Sequence, residues 1–159
     1  MLAIAENKTE LFTLIADTLV ETFKESSETV VATRLQNVVS NHEIPKINLE
    51  SCKKEEADDR MFLHAKDLSI LRFRKILIVT VDTDVIVIGL YAFWDLDVQE
   101  LWVEFGVGKT KTWLPIHYYA NLLGEEVCRA VLFWYALTGC DTVSHFQGRG
   151  NKTAWKMVG

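Results

Sequence analysis

Cysteine is scarce and scattered. Cys52, Cys128 and Cys140 form no C-x-x-C pair, which argues against a disulfide framework or a cysteine zinc site and for free thiols in a reducing compartment. No apolar run approaches the ~20 residues that span a bilayer. The N-terminus carries no basic segment, apolar core and small-residue cleavage site of the signal-peptide kind. Positive charge is also in short supply, with 17 Lys and Arg against 22 Asp and Glu and a formal net charge of −5. That balance disfavours a nucleic-acid partner, unless several acids belong to a metal cluster whose cations neutralise them. Repeats and low-complexity tracts are absent. What remains is a chain of 159 residues, 49% apolar and 25% charged, the ordinary make-up of one domain with a substantial core.

The organising stretch is 76–89, ILIVTVDTDVIVIG. Its apolar and β-branched run 76–81 predicts a strand buried on both faces of a parallel sheet. Alternation along that strand would project Asp82 and Asp84 to one side at its carboxyl end. Ligands of open α/β sheets bind at that end. Two carboxylates so close repel unless a cation or a shared proton lies between them, although a solvated turn is the plainer account of one Asp-x-Asp.

Ahead of that strand, Asn7-Lys8-Thr9-Glu10 reads as a capping box opening an amphipathic helix that runs to about Lys24. Segments 28–33 and 35–39 read as short strands and 40–54 as a connecting loop. A helix over 55–68 would bury Ala57, Met61, Ala65 and Leu68, with its acids complementing the macrodipole. Beyond the central strand come a strand at 101–105, a glycine turn at 106–109 and an extended segment at 110–114. Pro115 suits the first turn of a helix reaching Leu123. Gly124 ends it, an aromatic-rich helix covers 125–137, and a last helix covers 151–158. Alternating helices and strands make the class α/β.

Three further features accompany Asp82 and Asp84. Glu55-Glu56-Ala57-Asp58-Asp59 is acidic, and Glu56 and Asp58 can serve one site only by straddling the helix start, since i and i+2 do not share a face. Asp141 follows the apolar run LFWYAL and a glycine. Gly148-Arg149-Gly150-Asn151-Lys152 places glycines before a helix, where exposed N–H groups attract phosphate. Each feature alone is ordinary: a charge complement, a helix end, a turn.

Their order, EEAD then VDTD at a strand end then LTGCD then F-x-GRGNKTAWK, resembles the internal half of the flap-endonuclease family, the XPG-like branch of the PIN-like nucleases. That family has paired acids opening a helix, a strand-end Asp-x-Asp some twenty residues on, a later Gly-x-Asp, and a helix-two-turn-helix with G-x-G-x-x-x-A, which Gly148, Gly150 and Ala154 match. The resemblance covers 55–159. It implies a PIN-like three-layer fold with a mostly parallel central sheet, organised as 1–54 (helix, short strands and loop), 55–141 (nuclease core) and 142–159 (helix-hairpin-like DNA-binding segment). The N-terminal part is incomplete relative to the family: its opening strand and catalytic Asp have no counterpart in 1–54, where Asp17 lies on a helix and Glu28 starts a strand. Asp58 stands where the family usually has Glu.

Carried over by position, the resemblance makes Asp82, Asp84 and Asp141 catalytic, and Glu56, Asp58, Asp82, Asp84 and Asp141 the ligands of two Mg²⁺ or Mn²⁺ ions. Gly148, Arg149, Gly150 and Lys152 would hold the backbone of duplex or branched DNA without reading sequence, with Lys156 adding positive charge. The implied activity is metal-dependent phosphodiester hydrolysis in an intracellular, nuclear setting, with no membrane and no nucleotide cofactor. Without the five acids the formal charge rises from −5 to 0. One alternative is a catalytically degenerate PIN-like module that binds nucleic acid or protein. Another is a haloacid-dehalogenase-like phosphatase with Asp82 as nucleophile and Asp84 as acid/base.

Overall fold

The computed structural model describes residues 2–35, 37–44 and 57–138. The chain divides into two compact units, Met1–Glu56 and Ala57–Gly159.

In the first unit, helix α1 (Leu2–Thr22) precedes strands β1 (Val31–Arg34) and β2 (Asn37–Ser40), which pair antiparallel with Val31 opposite Ser40. The helix begins ahead of the capping box expected at Asn7, because Leu, Ala and Glu upstream are themselves good helix formers. Leu35, expected to open the second strand, instead lies in the turn with φ 56°. Asn41 ties the helix exit to the hairpin. Its Nδ2 donates to the Phe23 and Glu28 carbonyls at 2.7 and 2.9 Å, and its Oδ1 accepts the Val30 N–H at 2.8 Å.

The second unit runs α2 (Ala57–Ile70), β3 (Lys75–Thr80), α3 (Asp84–Ala92), a 3₁₀ turn (Phe93–Asp95), β4 (Glu100–Phe105), a second 3₁₀ turn (Gly108–Thr110), β5 (Thr112–Pro115), α4 (Ile116–Leu123) and α5 (Glu125–Thr138). Strands β3, β4 and β5 form one sheet in that order. β3 and β4 are parallel, joined through α3, with Lys75 opposite Glu100 and Thr80 opposite Phe105. Lys75 Nζ and Glu100 Oε1 form a 2.6 Å ion pair at the first register position. β4 and β5 are antiparallel. The described sheet is therefore mixed rather than mostly parallel. The connection 106–111 is too short for a crossover, which needs a dozen residues or more, so β5 can only turn back on β4.

The core lies on one face of this sheet. Ile76, Ile78, Leu101 and Val103 meet Phe62 and Ala65 of α2, Val85 of α3 and Ile116 of α4. The opposite face carries Leu77, Val79 and Trp113, each about half exposed (46%, 59% and 55%). The burial of β3 on both faces expected from its apolar run is thus not met among the described residues, because α2, α3 and α4 contribute their core side chains to a single face. The buried residues of α2 are Phe62, Ala65, Asp67 and Ser69, while Leu68 is exposed. Ala65 and Met61 face the core as expected, joined by Phe62. Pro115 ends β5 and precedes α4, where Gly124 at φ 81° closes the helix as expected. No helix among the described residues is long and apolar enough to cross a membrane.

Candidate functional site

The backbone leaves β3 at Thr80 and enters α3 at Asp84, directly beyond the carboxyl ends of two parallel strands. Asp82 and Asp84 therefore do not share a strand face, as alternation had suggested. Asp82 lies in the connecting turn and Asp84 is the first residue of a helix. The apolar, β-branched sequence after Asp84 suits a strand by propensity but is helical here, held by packing of α3 against α4 and α5.

The turn is built from short polar side chains. Thr80 Oγ1 accepts the Asp82 N–H at 3.0 Å, and Asp82 Oδ1 accepts the Asp84 N–H at 2.9 Å. Thr83, which precedes the helix, makes no side-chain capping bond, so Asp82 supplies that acceptor. The open N–H groups and the dipole at the start of α3 favour both carboxylates.

Asp84 is half-buried and Asp82 exposed. A second contact reaches Asp84 from far along the chain. The Tyr135 hydroxyl on α5 donates to Asp84 Oδ1 at 2.6 Å. Helix α5 is registered on α3 at its other end by Arg129. That side chain lies over the Tyr91 ring, 5.0 Å from its centroid, and bonds Asp95 at 3.2 Å and Glu125 at 2.9 Å. Tyr135 lies six residues after Arg129 and Asp84 seven before Tyr91, about 9 and 10.5 Å along antiparallel helices. The two contacts are thus mutually consistent and hold the α3 N-terminus in a fixed place.

Neither Asp82 nor Asp84 has a Lys or Arg partner among the described residues. Several other acids do, while Glu10, Glu25, Glu28, Glu43 and Glu126 likewise form no ion pair among the described residues. Asp17 pairs with Arg34, Asp95 with Arg129, Asp97 with Arg72 and Arg74, Glu100 with Lys75, and Glu104 with Lys111. Among the described residues the pair at the strand end is held by neutral N–H and O–H donors, each carboxylate accepting through Oδ1. Hard oxygen donors of this kind fit a Mg²⁺ or Mn²⁺ ion that retains several waters.

Asp58 lies near the start of α2, half-buried and with interactions of its own. Among the described residues, no group of three or more His, Cys, Asp or Glu side chains is placed to hold a metal ion. Glu56, Asp141, Gly148, Arg149, Gly150 and Lys152 lie outside the described residues, as do Cys52 and Cys140 and the expected helix at 151–158. Cys128 is a buried free thiol.

Two elements of the site escaped the reading of the sequence. Tyr135 sits in an aromatic-rich helix and reads as core. The available signal was its hydroxyl, which needs a partner when the ring is buried. The loop 106–111 also lies against the strand end, because the Gly106 N–H donates to the Thr80 carbonyl at 3.1 Å. It carries the exposed Lys109. No family model, curated protein or solved structure matches the chain.

Proposed function

We propose that this chain is the core of a metal-dependent phosphodiester hydrolase acting on nucleic acid, of the PIN-like, flap-endonuclease type. One observation carries the reading. Two carboxylates stand side by side at the turn beyond the carboxyl ends of parallel strands, where ligands of α/β sheets bind, and are fixed there by neutral N–H and O–H donors. The order of acids along the sequence supports it independently.

In this reading Asp82 and Asp84 each offer Oδ2 to Mg²⁺ or Mn²⁺, and Glu56, Asp58 and Asp141 join them by resemblance. A bound ion supplies Lewis-acid activation of water and neutralises charge on the leaving oxygen. The chain's own part is to hold the acids in register. The Asx turn of Asp82 fixes the start of α3, and Tyr135 fixes one oxygen of Asp84. Gly148, Arg149, Gly150 and Lys152 would receive the phosphate backbone of duplex or branched DNA, and the setting would be nuclear.

The test is metal binding followed by cleavage. Mn²⁺ at millimolar concentration should raise the melting temperature of the parent by preferential binding to the folded state. The double substitution Asp82→Asn, Asp84→Asn should abolish that rise and any EDTA-sensitive cutting of labelled flapped DNA or of RNA. An identical metal response in parent and double variant sinks the proposal.

A binding module without catalysis is the second reading, favoured by the capping role of Asp82, which gives that carboxylate a purely structural use. It is distinguished by retained, salt-sensitive DNA binding with no cutting in Mg²⁺ or Mn²⁺.

A further inference from the structure

Strand β3 is an edge of its sheet, with β4 on one side only. Among the described residues no backbone group pairs with its other side, which presents a row of open N–H and C=O groups. Proteins blunt such edges with a charge, a proline or a short strand. The far edge is blunted in this way, because β5 has four residues and ends in Pro115. β3 is longer, and its run 76–79 holds neither charge nor proline. Its surroundings are apolar as well. Ile70, Leu71, Phe73, Leu77, Val79 and Val81 are all exposed. An apolar tract beside an open edge marks an interaction surface, and the backbone groups fit another strand.

The charges at the two ends of β3 select which strand. Arg72, Arg74 and Lys75 stand at its amino end, and Asp82 and Asp84 stand beyond its carboxyl end. A second β3 laid parallel would set acid beside acid and base beside base. Laid antiparallel, it sets basic end against acidic end, twice about a twofold axis. With the axis normal to the sheet at Ile78, core-side residues meet core-side residues. Leu77 then lies opposite the partner's Val79, and Arg74 opposite the partner's Asp82. Arg74 already meets Asp97, but its guanidinium keeps further N–H donors.

We infer that β3 is the contact strand of a homodimer, pairing antiparallel with β3 of a second copy about Ile78. One sheet then runs through both copies, and the exposed Leu77 and Val79 pack across the join. This does not rest on the metal-dependent reading above.

The experiment is sedimentation equilibrium of the full chain over a concentration series. The parent should reach twice the chain mass. Leu77→Lys and Val79→Glu each put a charge on the exposed face and leave the core side untouched. Each should weaken dimerisation about tenfold, because every cross-strand pair is lost twice in a twofold dimer. The double variant Leu77→Lys, Val79→Glu sets opposite charges across the join and should dimerise more tightly than either single variant. A parent that keeps the chain mass at every concentration overturns the inference. Slow amide exchange at 76–79 in that monomer would then assign the edge to a strand of the same chain. A dimer indifferent to both single variants overturns it too, since another surface then holds the copies together. A double variant no tighter than the single ones overturns the antiparallel register.

Discussion

The carboxylate of Asp82 accepts the backbone N–H of Asp84 at 2.9 Å, so one acid caps the helix that the other begins. The cap and the proposed ligand are separable by substitution. Asp82→Asn keeps an acceptor oxygen and discards the charge, so metal-free stability should stay near that of the parent. Asp82→Ala removes the acceptor and should cost about 0.5–2 kcal/mol in urea unfolding. Both should lose the stabilisation by Mn²⁺. Equal metal-free stability of the two variants would mean that the Asx turn does not hold α3.

Two glycines should respond in opposite directions to alanine. A Cβ on Gly89 would lie 3.6 Å from Phe62 Cζ and 3.7 Å from Ile116 Cγ2, ordinary contact distances inside a helix. Gly89→Ala should therefore stabilise by about 0.5–1 kcal/mol, through the lower entropy of the unfolded chain. Gly106 has φ 105°, and a Cβ there would lie 3.0 Å from the Thr110 carbonyl oxygen. Gly106→Ala should cost about 1–3 kcal/mol. Thermal melts of the two variants settle both signs.

His64 on α2 makes stability depend on pH. Burial holds its pKa below the ordinary 6.5, with Asp67 opposing and Arg60 reinforcing the shift. Because the folded value lies below the unfolded one, the unfolded chain binds more protons in the window beneath 6.5. Stability from this group is complete above that value and falls as pH is lowered through the window. His64→Gln should flatten this part of the profile, measured by urea unfolding at a series of pH values. An unaltered slope would assign the acid sensitivity to other groups.

Glu104 is only 9% exposed in the middle of β4, and Lys111 reaches it from the start of the returning hairpin arm. Removing the cation leaves a buried acceptor without its partner. Lys111→Met should lower stability by about 1–3 kcal/mol. Adding Glu104→Met should recover most of the loss, since an apolar pair can replace a buried ion pair. A double variant as unstable as Lys111→Met would show that Glu104 serves more than this pair.

Local chemistry made much of the second unit legible from its sequence. The β-branched run at 76–80, the glycine at 124 and the acidic start at 125 mark β3, the end of α4 and the beginning of α5, because strand propensity, positive φ and the helix dipole act within a few residues. Even the antiparallel turn of β5 is implicit in the short connection after Phe105, though the family resemblance implied a mostly parallel sheet. Asp82 and Asp84 could likewise be placed at a strand end by inspection. Tertiary contact decided what those acids do next. The sequence DVIVIGLYA has the composition of a strand, and it is a helix because Asp82 caps it and α4 and α5 pack along it. Tyr135 meets Asp84 only through that packing. A hydrogen bond across 51 residues has no local signature: the chain in between must fold before donor and acceptor come within reach.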